Sequence, residues 1–476
     1  MLATSSALKN SNSTFHSIVS LQAVIFLGAL LMLFGLWNAD PYSENLITPL
    51  CLIFTLHFAW VLWSWNVMTG RWFDSYALIF VSLCFFSGGH FLLEVLNLNE
   101  DGVLLGAFSA GTTNRTILLV IASAAAYHLG GVLLCLREAS YTRLCNETEF
   151  NRSAVSFSPG RAKLIGVFFL LVSIPSTIYI MVNSVEMAAT TGYFSRYQQE
   201  ILIGINNWQS VLSTFFVPGI LITFAMYHNS RRSVEICWIL MFAYAVANMF
   251  VGSRGAALLA FVPMVLLHHN LVGRIRAIYL ISGSLAMLVL LPLIAMTRNV
   301  TTESRYDIIT SALSANLIQS SIKEMGGSAG TIANTIELVP ASRKYDYGIG
   351  YGYAMLTAIP NFFWERHLSA QWGSYTTWLV WTVDPYTARL NGSYGFSVIA
   401  EAYANFSILG PPAILGILGF TIAMIGSRTR NSRQPFAAAL EAVFLSLMLI
   451  MPRAEFFDLF RPIIWFCLIP YLLVKR

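Results

Sequence analysis

Apolar residues in this chain come in long unbroken runs, not in alternation. Runs of roughly 20 such residues, enough to cross a hydrocarbon core as helix, recur from end to end. They predict about twelve helical spans. These lie near 17–37, 46–68, 75–97, 115–137, 163–184, 206–227, 234–251, 256–271, 277–296, 397–426, 437–451 and 460–474. Period-two segments of the kind that build an outer-membrane barrel are missing from the pattern. The rhythm lapses once, over residues 297–396, which form a large loop that is not low in complexity. Within it, Asp307 to Ile322 is amphipathic enough for a helix along a membrane surface, and Thr331 to Leu338 predicts another. The chain therefore reads as an all-α polytopic membrane protein. Residues 1–296 carry nine spans, 297–396 a large outer loop, and 397–476 three spans.

Composition agrees with that class. Of 476 residues, 56% are hydrophobic, 14% aromatic and 11% charged. Mean hydropathy is +0.65. A soluble globular chain carries about 25% charged residues. The net charge of +5 is accounted for by loop arginines, so no nucleic-acid partner is implied.

Those arginines set the orientation. With the N-terminus inside, alternate connections hold Arg71, then Arg137 to Lys163, then Arg231 and Arg232, then Arg274 and Arg276, then Arg428 to Arg433, and finally Lys475 and Arg476. This satisfies the positive-inside rule with both termini cytoplasmic and 138–162 as a cytoplasmic loop. The polar Ser/Asn-rich leader lacks a small-residue cleavage site, which predicts a retained first helix. None of the six cysteines lies in the outer loop, so no disulfide framework is implied.

Under this topology Arg254, Arg298, Arg453 and Arg461 all sit at outer helix ends. Val251-Gly252-Ser253-Arg254-Gly255 reads as a tight turn between spans. Pro452 to Ile464 packs Arg453, Glu455, Asp458 and Arg461 into one short gap. Charge is expensive at a bilayer boundary and is kept there for binding or catalysis. The planar guanidinium fork matches phosphate oxygens in bidentate fashion. One such arginine would snorkel to ordinary lipid phosphates. Four on one face fit a polyprenyl diphosphate.

The same residues carry a resemblance. Phe250-Val251-Gly252-Ser253-Arg254-Gly255, Met296-Thr297-Arg298, and Arg453-Ala454-Glu455 with Asp458 and Arg461 resemble the Wzy-type polymerases of O-antigen and related polysaccharides. So does Gly392-Ser393-Tyr394-Gly395-Phe396-Ser397 with Glu401, Tyr403, Asn405, Phe406 and Gly410. Ser407 stands where that family commonly has glycine.

The resemblance covers mainly 245–470. It implies a membrane glycosyltransferase of GT-C type at the periplasmic face of the bacterial inner membrane, working without a metal or other cofactor. The donor would be a growing glycan on undecaprenyl diphosphate and the acceptor a lipid-linked repeat unit. A chain-length regulator and a flippase are expected partners. Arg254, Arg298, Arg453 and Arg461 would bind the diphosphate, with Glu455 and Asp458 orienting them. The sequence has no Asp-x-Asp pair in an outer loop and no metal-ligand spacing of His, Asp and Glu.

The acceptor hydroxyl needs a base. Glu401, near the outer surface in the tenth span, is one candidate; its alternative role is an ion pair with an outer arginine. His367, the single histidine of the outer loop, is the other; its alternative is a surface histidine beside Glu365 and Arg366. Two further functions share part of the pattern. An O-antigen ligase-like transferase would use the same donor site with another acceptor. A lipid-linked oligosaccharide flippase or transporter would place polar residues at mid-membrane in repeated halves. Ionisable residues here gather at the outer boundary instead, with Glu441 the main exception.

Overall fold

Polar residues punctuate the apolar runs and set where helices begin. In the computed structural model, which describes residues 2–38, 44–144, 156–190, 207–297, 316–359 and 367–476, the Asp74 carboxylate accepts from the Ala77 amide at 2.9 Å and Asn316 from Gln319 at 3.2 Å. Such N-caps satisfy amides that have no partner inside their own helix.

The helices that result are α1 (Leu2–Trp37), α2 (Ile47–Thr69), α3 (Ser75–Val95), α4 (Ala110–Leu144), α5 (Pro159–Thr190), α6 (Asn207–Ser213) and α7 (Phe216–Met226). There follow α8 (Arg231–Phe250), α9 (Arg254–Leu271), α10 (Ala277–Thr297), α11 (Leu317–Met325), α12 (Ser328–Leu338), α13 (Ile349–Leu356) and α14 (Leu368–Trp372). The last are α15 (Tyr375–Val383), α16 (Pro385–Arg389), α17 (Val398–Phe406), α18 (Gly410–Ser432), α19 (Pro435–Met448), α20 (Phe456–Ile463) and α21 (Ile469–Val474), the last two joined by a π-helical turn at Ile464–Leu468. Among the described residues there is no strand, only an isolated bridge between Phe157 and Lys475.

Among the described residues, 10 helices are long and apolar enough to cross a membrane, and Gly255–Leu271 and Ala277–Leu290 are shorter apolar helices. The chain is a multi-pass membrane protein. The two shorter helices occupy the eighth and ninth predicted spans. Several boundaries differ from the expectation. The fourth helix runs on to Leu144, well past residue 137. The tenth span is broken at Ser407, whose φ of +58° lies in the left-handed region. That conformation suits glycine, the residue common there in the family the sequence resembles. The break leaves α17 as a short half-helix ahead of α18.

Two cores hold the helices. Leu33, Phe54, Phe80, Ile117, Tyr127 and Leu415 belong to the first, built mainly from α1 to α4, α12, α15, α17 and α18. Phe169, Ile220, Phe224, Met241, Met264 and Phe466 belong to the second, built from α5, α7 to α9 and the last helical stretch. Helix α19 bridges them, with Leu445 and Met448 in the first and Ala439 and Val443 in the second.

The most extensive packing is α4 against α18. In hydrocarbon, helices associate through close contact rather than exclusion of water, and small residues permit it. A Cβ on Gly419 would stand 2.0 Å from the Tyr127 carbonyl oxygen, and one on Gly130 2.1 Å from that of Gly416. Only hydrogen fits at either position.

Several basic connections expected on one side do meet at one end of the bundle. Burial, and then the neighbouring Arg430 guanidinium, lower the pKa of Arg71; Asp74, Glu441 and Arg274 also act on it. Ser75 donates to Glu441 at 2.5 Å, and the Phe157 amide donates to Gln434 at 2.9 Å. The chain from Gln434 along α19 therefore leads from this end to the opposite one, where the large 297–396 loop packs.

The described residues of that loop are largely helical and packed. The helix expected over Asp307 to Ile322 is seen as Leu317–Met325, its earlier part lying outside the described residues. Ser321 donates to the Leu288 carbonyl at 2.6 Å, tying α11 to α10. The helix expected at Thr331 to Leu338 is α12. It buries Ala329, Ile332 and Ala333 completely against the rest of the protein.

Candidate functional site

At the end of the bundle away from Arg71, the start of α17, the end of α19 and the start of α20 converge. Two buried carboxylates, Glu401 and Glu455, each 1% exposed, hold this junction. Glu401 lies one turn into α17, which Ser397 caps through the Ile399 amide at 3.3 Å. Its Oε2 accepts from the Phe456 amide at 2.7 Å. It thereby fixes the first turn of α20. Glu455 sits just before α20 and accepts from the Tyr375 amide at 2.9 Å and the Thr376 amide at 3.2 Å. It therefore fixes the first turn of α15. Burial, and then the Asp458 charge, push the Glu455 carboxyl above its ordinary range. Amides at a helix start are where a buried carboxylate is best tolerated.

Arg453 lies against the chain that leads into α17. The Phe396 amide donates to the Arg453 carbonyl at 3.2 Å. Gly395 has φ +75°, and a Cβ there would stand 2.8 Å from both Arg453 Cγ and Arg453 O. The glycine thus supplies a conformation and a clearance that the arginine requires.

Of the other expected residues, two lie on α20 itself and the rest lie elsewhere or outside the described residues. Asp458 and Arg461 are exposed on α20, and the Arg461 guanidinium lies 5.9 Å from the centre of the Trp465 ring. Arg254 opens α9 directly after the expected tight turn, in which the Ser253 amide bonds the Asn248 carbonyl at 2.8 Å. Arg298 lies outside the described residues.

His367 caps α14. The Ser369 amide donates to its Nδ1 at 3.2 Å, and the Ser369 hydroxyl lies 2.5 Å from the same nitrogen. Nε2 lies 3.0 Å from the Ile359 carbonyl. A carbonyl can only accept, so Nε2 carries the proton and Nδ1 the lone pair. The ring is half-buried. Helix α14 reaches the junction through α13, which packs on both α14 and α20.

Sequence reasoning missed Arg343 and the role of Asn405. The Asn405 amide nitrogen bonds the Tyr375 hydroxyl at 3.0 Å and the Glu401 carbonyl at 2.9 Å, and its oxygen accepts from the Gly348 amide at 3.0 Å. Arg343 pairs with Asp346 at 2.8 Å, and the Tyr375 hydroxyl donates to the same Asp346 oxygen at 2.7 Å. The one local signal was an arginine three residues before an aspartate, at the edge of the Gly- and Tyr-rich stretch from Tyr345 to Tyr353. Burial and the bond to Asp346 raise the Tyr375 pKa, so its phenol stays protonated as a donor. The Tyr351 hydroxyl, between Phe406 and Phe456, is buried with no hydrogen-bond partner among the described residues. Among those residues no three His, Cys, Asp or Glu side chains are grouped to hold a metal.

No curated protein and no solved structure is detectably similar to this chain. A model of the family described as O-antigen polysaccharide polymerase Wzy matches residues 17–475, nearly its whole length. With that extent of match, the chain belongs to the O-antigen polysaccharide polymerase Wzy family.

Proposed function

We propose that this protein transfers a growing glycan from undecaprenyl diphosphate to a lipid-linked repeat unit at the periplasmic face of the inner membrane. The observation that carries this reading is Arg453, seated on Gly395 between helix starts held by Glu401 and Glu455. A guanidinium on so fixed a backbone suits a diphosphate, because preorganised donors stabilise developing charge without reorganising. Arg461, Arg254 and Arg298 are assigned to the same anion.

In the reaction an acceptor hydroxyl attacks the anomeric carbon of the donor. The bond from that carbon to the diphosphate oxygen breaks, and the diphosphate leaves with the electron pair. The arginines offset the charge that develops on it. The acceptor proton goes to a base. Of the two candidates the base is assigned to His367, whose ring is half-buried rather than enclosed and whose Nδ1 accepts from Ser369, a contact that must open for the nitrogen to take a proton. Glu401 is enclosed and engaged with Phe456, which suits an anchor. Chemistry by this route needs no metal, and a GT-C architecture fits the helical frame.

The test is a polymerase-deletion strain complemented with single variants, with surface lipopolysaccharide resolved on a gel. Arg453→Ala and Arg254→Ala are expected to collapse the ladder to core plus one repeat. His367→Ala is expected to lower polymer formation by about a hundredfold or more. An unchanged ladder in both arginine variants would sink the diphosphate assignment. Loss of the single repeat as well would favour a ligase or flippase.

A further inference from the structure

The outer loop builds one feature that the diphosphate assignment does not use. The Arg343 guanidinium lies over three aromatic rings, 4.7 Å from the centre of Tyr375, 5.0 Å from Trp378 and 5.8 Å from Trp372. Trp372 is in turn stacked with Tyr353 at 4.7 Å and 14°. Arg343 and Asp346 keep 23% and 13% of their side chains exposed, and Tyr353, Trp372 and Trp378 are half-buried. All five therefore present part of their surface.

The chemistry of this group is specific. A guanidinium held over ring faces keeps its in-plane N–H donors available. Only one nitrogen of Arg343 is engaged by Asp346, and the pair is neutral overall, so it does not select an anion. Flat apolar faces beside a fixed donor and a fixed carboxylate match a pyranose, which has an apolar C–H face and a rim of hydroxyls. Tryptophan and tyrosine offer that face at little entropic cost.

The group is also joined to the arginine junction. The Tyr375 ring stacks on Phe396 at 5.2 Å and 14°, and the Phe396 amide bonds the Arg453 carbonyl. Glu455 holds the Tyr375 amide. The aromatic group thus stands one ring away from Arg453.

We propose that Tyr353, Trp372, Trp378 and the Arg343–Asp346 pair form a saccharide subsite that binds a sugar ring of the lipid-linked glycan. The inference rests on the polymerase reading above. It assigns to Arg343 a role in positioning glycan, apart from the diphosphate.

The test uses the full-length protein in nanodiscs and two separate probes. One is the polysaccharide released by mild acid from the source bacterium's own lipopolysaccharide, free of lipid and diphosphate. The other is farnesyl diphosphate. Saturable binding of the released glycan to the wild type is expected. Trp372→Ala and Arg343→Ala should weaken it by about tenfold or more. Trp372→Phe, which keeps a ring, should stay near wild type. Farnesyl diphosphate binding should be unchanged in the Trp372 and Arg343 variants and lost in Arg453→Ala. If Trp372→Ala does not fold, as judged by its melting curve, Tyr353→Ala takes its place. Glycan binding that is absent in the wild type, or undiminished in the aromatic and Arg343 variants, overturns the subsite. Farnesyl diphosphate binding undiminished in Arg453→Ala overturns the diphosphate assignment and leaves the subsite result standing.

Discussion

The carboxylate of Glu401 accepts the amide hydrogen of Phe456 at 2.7 Å. This bond joins the half-helix α17 to the first turn of α20. Glu401→Ala leaves a buried amide without a partner, a loss of about 1–3 kcal/mol. Glu401→Gln keeps one carbonyl acceptor. The Ala variant is therefore expected to melt lower and shorten the polymer ladder, while the Gln variant keeps both near wild type. A Gln variant with normal melting and no polymer would make Glu401 the base and displace His367.

Gly395→Ala should act through Arg453. The added methyl meets Arg453 Cγ and O at 2.8 Å, and φ of +75° adds strain of about 1–2 kcal/mol. Folded yield should fall modestly, and polymer should fall as far as in Arg453→Ala. Because the loss of polymer in Gly395→Ala is expected to act through the Arg453 side chain, polymer in the double variant should be no lower than in Arg453→Ala. Its folded yield still carries the φ strain and the contact with the Arg453 carbonyl. Additive losses of polymer would show that Gly395 serves something else.

A pH effect is expected at the turn into α16. Hydrogen bonds from the Thr387 hydroxyl and amide and then the Tyr394 hydroxyl hold the Asp384 carboxyl down to about 2, against 3.8 ordinarily. A depressed carboxyl stabilises the folded state fully above its unfolded pKa and loses that contribution as pH falls through the folded one. Thermal stability of the folded protein, followed by tryptophan fluorescence, should thus fall progressively from about pH 4 towards 2. Asp384→Asn should flatten that part of the profile. An identical slope in the variant would refute the assignment.

Gly419→Val tests the α4–α18 contact. The side chain must enter a space where even a Cβ lies 2.0 Å from the Tyr127 carbonyl, so the helices must part. Overpacking of this kind costs about 1–3 kcal/mol or more. Folded protein recovered from membranes should drop sharply. Gly28→Val, at a position with nothing within 4 Å, should leave it unchanged and serves as the control.

Much of the frame is legible in the order of residues along the chain. The apolar runs predict each long helix, and the basic connections at Arg71, Arg274 and Arg430 do gather at one end. Val251 to Gly255 is the tight turn expected, and Arg453 lies beside the Gly395 turn that carries part of the resemblance. The break at Ser407 is not legible, because a serine carries no local signal for a left-handed backbone. Nor is the burial of α12, whose apolar face could equally have lain on a membrane.

The sequence by itself determined the class of protein, the places of its helices and its family, since run length, charge between runs and short motifs are local properties of a chain. What only the tertiary structure decided is the task of each polar group. Glu401 and Phe456 are 55 residues apart, and Glu455 and Tyr375 are 80. No spacing along the chain shows that two acids close to arginines would each hold a helix start instead. Arg343 gained its setting in the same way, from rings at Trp372, Tyr375 and Trp378 that only the folded loop brings over it. A carboxylate or guanidinium takes its role from the partners that surround it once water is excluded, and those partners are chosen by packing.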